Sequence, residues 1–158
     1  MCRELKFACD CMCGKLAKRL RMLGFDVFYR HYIIDKDLLD ICENEKRILL
    51  TKDNGFLKRK TDAIIYIVKG ANPDEEIMEI ISTFELKQAA KPFTMCITCG
   101  AQIKDIEREC VINKVPQFVF KTQEKFKHCP ACGKIYWQAT HRKNMDKIIE
   151  MWFGDSGN

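Results

Sequence analysis

Two cysteine pairs constrain this chain more than anything else in it. Cys96-Ile97-Thr98-Cys99-Gly100 and Cys129-Pro130-Ala131-Cys132-Gly133 share one pattern, two cysteines separated by two residues and followed by glycine. Thiolates at that spacing let a tight turn aim both sulfurs at one tetrahedral ion, and the glycine frees the backbone where the turn closes. Two such turns make a four-sulfur set, so the pattern reads as a zinc ribbon with Cys96, Cys99, Cys129 and Cys132 as ligands. The 29 residues between Cys99 and Cys129 suit a β-hairpin ribbon, because zinc requires only that the turns meet in space. A redox Cys-x-x-Cys or two disulfides would explain neither the repetition nor the trailing glycines. Four protein ligands leave no open position for water, so the expected role of this zinc is structural.

The pairs also divide the chain. Residues 1–91 alternate short apolar runs with amphipathic ones, which points to an α/β domain with a parallel sheet and flanking helices. Strands are expected at Leu5–Cys9, Phe25–Tyr29, Arg47–Thr51 and Ala63–Val68. Helices are expected from Gly14 to Leu23, from Asp35 (as cap) to about Glu45, around Phe56–Lys60, and from Asn72-Pro73 onward with Ile77, Ile80, Ile81 and Phe84 as a stripe. Ala89 to Pro92 reads as a linker. Residues 92–158 then form a small β-rich zinc-ribbon domain, with Val115–Lys121 as one of its short β runs and an amphipathic helix from about Asn144 to Phe153.

With 158 residues the chain can bury a real core. No apolar run approaches the roughly 18 residues of a membrane span, and the start lacks a signal-type segment. These features predict a cytoplasmic protein without membrane contact, whose ten cysteines are thiols or metal ligands. A net charge of +5 says little by itself about nucleic acid. The clusters Lys15, Lys18, Arg19 and Arg21, Lys58-Arg59-Lys60, and Lys121, Lys125 and Lys127 each read as a solvated face or a phosphate-binding patch.

Acids at strand ends supply the second chemical signal. In an open parallel sheet the crevice lies beyond the carboxyl ends of the strands. Asp10 follows the first strand, Asp53 the third, and Asp35 heads the intervening helix, with Asp37 as an alternative. Carboxylates gathered there repel one another unless a hard cation such as magnesium or manganese sits among them. Such ions can activate water and steady the leaving oxygen of a phosphodiester. The plain alternative is that Asp35 is a helix cap and Asp53 a turn residue.

The run Phe7-Ala8-Cys9-Asp10, the segment Gly14-Lys15-Leu16-Ala17 continuing to Leu23-Gly24-Phe25-Asp26, Asp35 with Leu38-Leu39, and Arg47 to Asp53 together resemble one family. It is the PIN-like ribonuclease family named for the C-terminal domain of the exonuclease Mut-seven (Mut7-C). The zinc ribbon and Tyr136-Trp137-Gln138-Ala139-Thr140-His141 match its tail. The resemblance spans about residues 5 to 150. It implies a PIN-type fold in which Asp10, Asp35 and Asp53 bind magnesium or manganese and serve hydrolysis of RNA, expected to be single-stranded. PIN-type sites commonly use a fourth acid, for which Asp37, Asp40, Glu43 and Asp62 are loose candidates. A homodimer would be common among such proteins. Lys15, Lys52 and Arg19 are candidate RNA contacts, and His141 is either another or a residue that stabilises the ribbon.

Two other classes stay open. A non-catalytic RNA- or ribosome-associated module would share the zinc and the basic patches without turnover. Thiol redox chemistry would use Cys9, Cys11 and Cys13, whose alternation puts three sulfurs on one side of an extended segment; burial as small core residues is the bland reading of these and of Cys2, Cys42 and Cys110. The ribbon region also carries Phe93, Phe118, Phe120, Phe126, Tyr136, Trp137, Trp152 and Phe153. A module of that size needs most of them for its own core, leaving two or three for stacking on bases.

Overall fold

Phe7-Ala8-Cys9 and Ile48-Leu49-Leu50 are apolar at consecutive positions, which a strand tolerates only when both of its faces are covered. The computed structural model, which describes residues 4–138 and 141–154, shows this arrangement. Strands β1 (Lys6–Cys9), β2 (Asp26–Tyr29), β3 (Ile48–Thr51) and β4 (Ile64–Ile67) form one parallel sheet in the order β2-β1-β3-β4. The two central strands are the most deeply buried ones, apart from Lys6 at the start of β1. Their side chains alternate: Phe7, Cys9 and Leu50 enter one core, while Ala8 and Leu49 enter the other.

Helices α1 (Gly14–Met22) and α3 (Pro73–Thr83) cover the first face, with Leu16, Leu20, Ile77 and Ile80 fully buried. Helix α2 (Asp35–Glu45) and a 3-10 turn at Asn54–Lys58 cover the second through Leu38, Leu39, Cys42 and Phe56. Asn72 caps α3, its Oδ1 accepting from the Glu75 amide at 3.0 Å, with Pro73 at the first helical position. From β1 the chain steps outward to β2 and then crosses back to β3, so the topological switch point lies between β1 and β3.

The second half carries β5 (Lys104–Ile106), β6 (Phe126–His128) and β7 (Ile135–Trp137) as an antiparallel sheet, with helices α4 (Gln117–Thr122) and α5 (His141–Trp152). Helix α5 returns to the first face of the parallel sheet. Ile149 and Trp152 join the core of α1 and α3, and the Trp152 indole donates to Asp74 at 3.1 Å.

Several expectations are corrected. Val115–Lys121 is not a strand: after Pro116 the chain turns into α4, with the Phe120 amide on the Pro116 carbonyl at 3.0 Å, as a short apolar run without a pairing partner can. Asp35 is the first helical residue rather than the cap; Ile34 occupies that position. The segment around Phe56–Lys60 is a 3-10 turn shifted toward Asn54, because Asp53 caps it. Arg21 is no surface cation but is buried. The linker is docked, since the Lys91 and Phe93 amides donate to the Leu23 and Met22 carbonyls at 2.8 and 3.0 Å. Gly24 permits this approach: its φ is +94°, and a Cβ there would lie 2.1 Å from the Lys91 carbonyl oxygen. Cys110 is exposed rather than buried, and Cys2 lies outside the described residues.

Candidate functional site

The carboxyl edge of the sheet places Asp10 and Asp53 on either side of the switch point. Asp10 is buried. One of its oxygens accepts from the Met12 amide at 3.0 Å and caps the 3-10 turn Cys11–Cys13, and the other accepts from the Thr51 hydroxyl. Thr51 Oγ1 in turn accepts from the Asp53 amide at 3.0 Å. One hydroxyl therefore links the ends of β1 and β3. Asp53 Oδ1 accepts from the Gly55 amide at 2.8 Å, a side chain fixed by the turn it caps.

Asp35 shares this edge but is otherwise engaged. Its Oδ2 accepts from Arg59 Nη2 at 3.0 Å, both side chains being nearly half exposed. Asp10, Asp35 and Asp53 do not bring three ligand oxygens together, since the four ribbon cysteines are the one such cluster among the described residues. The fourth-acid candidates separate by position. Glu43 accepts from the Thr61 hydroxyl and the Asp62 amide just ahead of β4, which puts Glu43 and Asp62 toward the amino edge. Asp37 and Asp40 line an open groove beside α2.

A carboxylate that the sequence reading passed over is Glu76. It is buried on α3, pairs with Lys52, and lies near enough to Cys9 and Cys13 to act on both thiols. Helical spacing held the clue, because Glu76 falls on the Ile77–Ile80 stripe, where a charge needs a partner. Lys52 Nζ also donates to the Gly70 carbonyl at 2.9 Å, so this candidate phosphate contact is tied to α3. Its pairing with Glu76 holds the ammonium pKa above its ordinary value. Arg19 lies 3.7 Å from Asp74 and over the Trp152 ring, and Lys15 is exposed. The His141 side chain lies outside the described residues.

Cys9, Cys11 and Cys13 do not share one side of an extended segment: Cys9 ends β1, and Cys11–Cys13 form a helical turn that buries Cys13 and exposes Cys11. Burial pushes the Cys13 thiol up to about 12, helped by Asp10 and Glu76, and pushes Cys9 upward as well. Neither is a ready nucleophile, because the thiolate is the reactive form.

The ribbon cysteines do converge. Their four Sγ atoms lie within 4.8 Å of one another, with Cys96 to Cys132 at 3.7 Å and Cys99 to Cys129 at 3.3 Å. Zinc–sulfur bonds of about 2.3 Å in a tetrahedron set sulfurs about 3.8 Å apart, so the set can hold zinc. The two turns are copies. In each, the glycine amide donates to the first cysteine's carbonyl at 2.8 Å, and the glycine φ is +82° at Gly100 and +80° at Gly133. Burial alone would raise the Cys96 thiol, but hydrogen bonds from the Tyr136 hydroxyl and from the Cys99 and Thr98 amides bring it down to about 6. Burial and the neighbouring thiols push Cys99 the other way, up to about 12, so without a metal the four sulfurs do not all ionise at neutral pH.

Arg21 ties this centre to the parallel sheet. Its Nε and Nη2 donate to the Val27 carbonyl at 3.1 and 2.9 Å, and Nη1 donates to the carbonyls of Ile97 and Thr98 at 3.1 and 3.2 Å. Val27 lies near the start of β2, so the first cysteine turn rests toward the amino edge, at the far end of α1 from Asp10.

No curated protein and no solved structure gives a significant match to the chain. The family model described as the Mut7-C RNAse domain does match, over residues 5–149, taking in the acid edge, the cysteine tetrad and most of α5. The chain belongs to the Mut7-C RNAse domain family.

Proposed function

We propose that the chain is a ribonuclease that hydrolyses RNA phosphodiester bonds at the carboxyl edge of its parallel sheet, with a divalent cation held by Asp10 and Asp53. The observation that carries this reading is the Asp10–Thr51–Asp53 linkage across the switch point, within a family named for RNase activity. Carboxylate oxygens are hard donors of the kind magnesium and manganese take, and each retains acceptor capacity beyond the hydrogen bond it receives. When bound, such a cation neutralises charge on the phosphodiester and lowers the pKa of water. Thr51 ties the Asp10 carboxylate to the Asp53 backbone, and the Gly55 amide orients the Asp53 carboxylate. In this reading Asp35, paired with Arg59, is a third candidate ligand and Lys15, exposed near the start of α1, a candidate phosphate contact. The tetrad holds a structural zinc and contributes no chemistry to the acid edge.

The dispersed acids favour a second reading, a non-catalytic RNA-binding module of the same architecture, because Asp35 and Glu76 are neutralised by Arg59 and Lys52. Zinc-replete protein is incubated with a mixed pool of single-stranded and structured RNA and manganese or magnesium, beside Asp53→Asn and Asp10→Asn. Cleavage by the parent alone supports the nuclease. Cleavage retained by both variants rejects the assignment of the acids, and RNA binding without cleavage by any of the three favours the module.

A further inference from the structure

An open groove of about 800 Å³ lies between the β2–α2 connection and α2. Ile33 and Ile41 give it apolar surface, Tyr32 and Ile34 stand beside it, and Asp37 and Asp40 line its helical side. Tyr32 is 88% exposed and Ile34 65% exposed. Large apolar side chains concentrated at a concave site mark binding more often than a solvated loop does. The ring of His31 meets Tyr32 edge-on, centroids 4.5 Å apart, and His31 Nδ1 lies 3.5 Å from the Tyr29 hydroxyl. The aromatic pair is thus tied back to β2.

Position gives the groove its meaning. Tyr29 is in register with Cys9, so Arg30 leaves the sheet beside Asp10, and Asp35 heads the helix that forms the opposite wall. Arg30 lines the groove, which therefore opens next to the carboxyl end of β1. Asp37 and Asp40 repel a phosphate, whereas their acceptor oxygens suit a base that presents N–H groups. Guanine offers two adjacent donors, N1–H and N2–H, to one carboxylate. Arg30, exposed at the mouth, supplies the charge for a flanking phosphate.

We infer that this groove is a subsite for an unpaired guanine of the RNA, stacked on Tyr32 and held at its N–H edge by Asp37 or Asp40. This rests on the RNA reading of the acid edge, and the test separates the two. Binding is measured by fluorescence anisotropy on zinc-loaded, full-length Asp53→Asn protein, with labelled eight-nucleotide RNAs that are all uridine, contain one guanine, or contain one abasic site. The guanine RNA should bind tightest. Tyr32→Ala should weaken it between about 5-fold and about 150-fold, the range for loss of one stacked base, while Tyr32→Phe keeps it and the abasic RNA changes little. The double variant Asp37→Ala, Asp40→Ala should bind the guanine and uridine RNAs alike. If the parent binds RNA but Tyr32→Ala binds it equally well, or guanine and uridine bind alike to the parent, the groove assignment is overturned and the acid-edge reading stands. Absence of RNA binding by the parent overturns both. If Tyr32→Ala changes only the sedimentation coefficient, the patch is a contact between copies of the chain and the subsite is rejected.

Discussion

Replacing Arg21 by methionine isolates the contact between the two halves of the molecule. The substitution keeps an apolar stem of similar length but removes the guanidinium that serves the carbonyls of Val27, Ile97 and Thr98. A buried acceptor left without a donor costs about 1–3 kcal/mol. The Ile97 and Thr98 bonds are partly buried, so water recovers some of that loss, and burial already lowers the Arg21 pKa, a desolvation cost that methionine avoids. Taking the low end for each of three acceptors gives about 3 kcal/mol. For a chain of this size that corresponds to a fall in Tm of about 6–12 °C. Thermal unfolding of the zinc-loaded protein, followed by circular dichroism, measures it. Arg21→Lys should recover little, since one ammonium cannot span Val27 and the cysteine turn as a planar fork does. Lys15→Met, on the exposed side of the same helix, should move Tm by less than about 2 °C. A shift that small for Arg21→Met would refute the bridge.

Metal analysis of protein never exposed to chelator should give one zinc per chain, and Cys129→Ser should lower it sharply; a value well below one in the parent argues against the tetrad. Because Arg21 links the first cysteine turn to β2, chelation should lower the Tm of the parent by more than that of Arg21→Met. The folded Cys13 thiol sits at about 12 against about 8.5 in the unfolded chain, so the unfolded state loses its proton first as pH rises. The contribution of Cys13 to stability should be level below about pH 8.5 and fall between there and about pH 12, and Cys13→Ala should lessen the alkaline slope in urea titrations. Gly24→Ala should cost more than Gly154→Ala, where φ is +71° and nothing lies within 4 Å of an added Cβ; about 1–2 kcal/mol covers the strain common to both, and equal urea midpoints would show that the Lys91 contact yields freely.

The residues whose positions could be read from the sequence are those placed within one turn or one strand. The cysteine turns are local objects, each closed by its own glycine, so spacing sufficed to identify them. Asp10 and Asp53 follow from strand ends, and the buried strands from unbroken apolar runs. Arg21 could not be read this way, because its acceptors at Ile97 and Thr98 are 76 and 77 positions away, and without them an arginine on a basic helix looks solvated. Glu76 sits on an apolar stripe, yet only the fold shows that Lys52 meets it. Cys9, Cys11 and Cys13 misled for the opposite reason: alternation implies a shared side only in extended chain, and the Asp10 side chain turns that chain into a helix.

The two halves have distinct places on one sheet. Helix α1 begins four residues after Asp10 and carries Arg21 at its other end, so its nine residues separate the acid edge from the cysteine turn by about 12 Å of helix. A zinc ion in the tetrad therefore cannot touch a phosphate bound at Asp10, and any influence on that site passes through the placement of α1. Trp152 adds a second anchor, reaching from α5 to Asp74 in the first turn of α3. Helices α1 and α3 are thus each held from outside by the C-terminal half, at Arg21 and at Asp74. The same two helices carry Lys15, exposed at the start of α1, and Glu76, buried beside Lys52. The ribbon acts in this arrangement as a brace for the face of the sheet on which those residues are displayed.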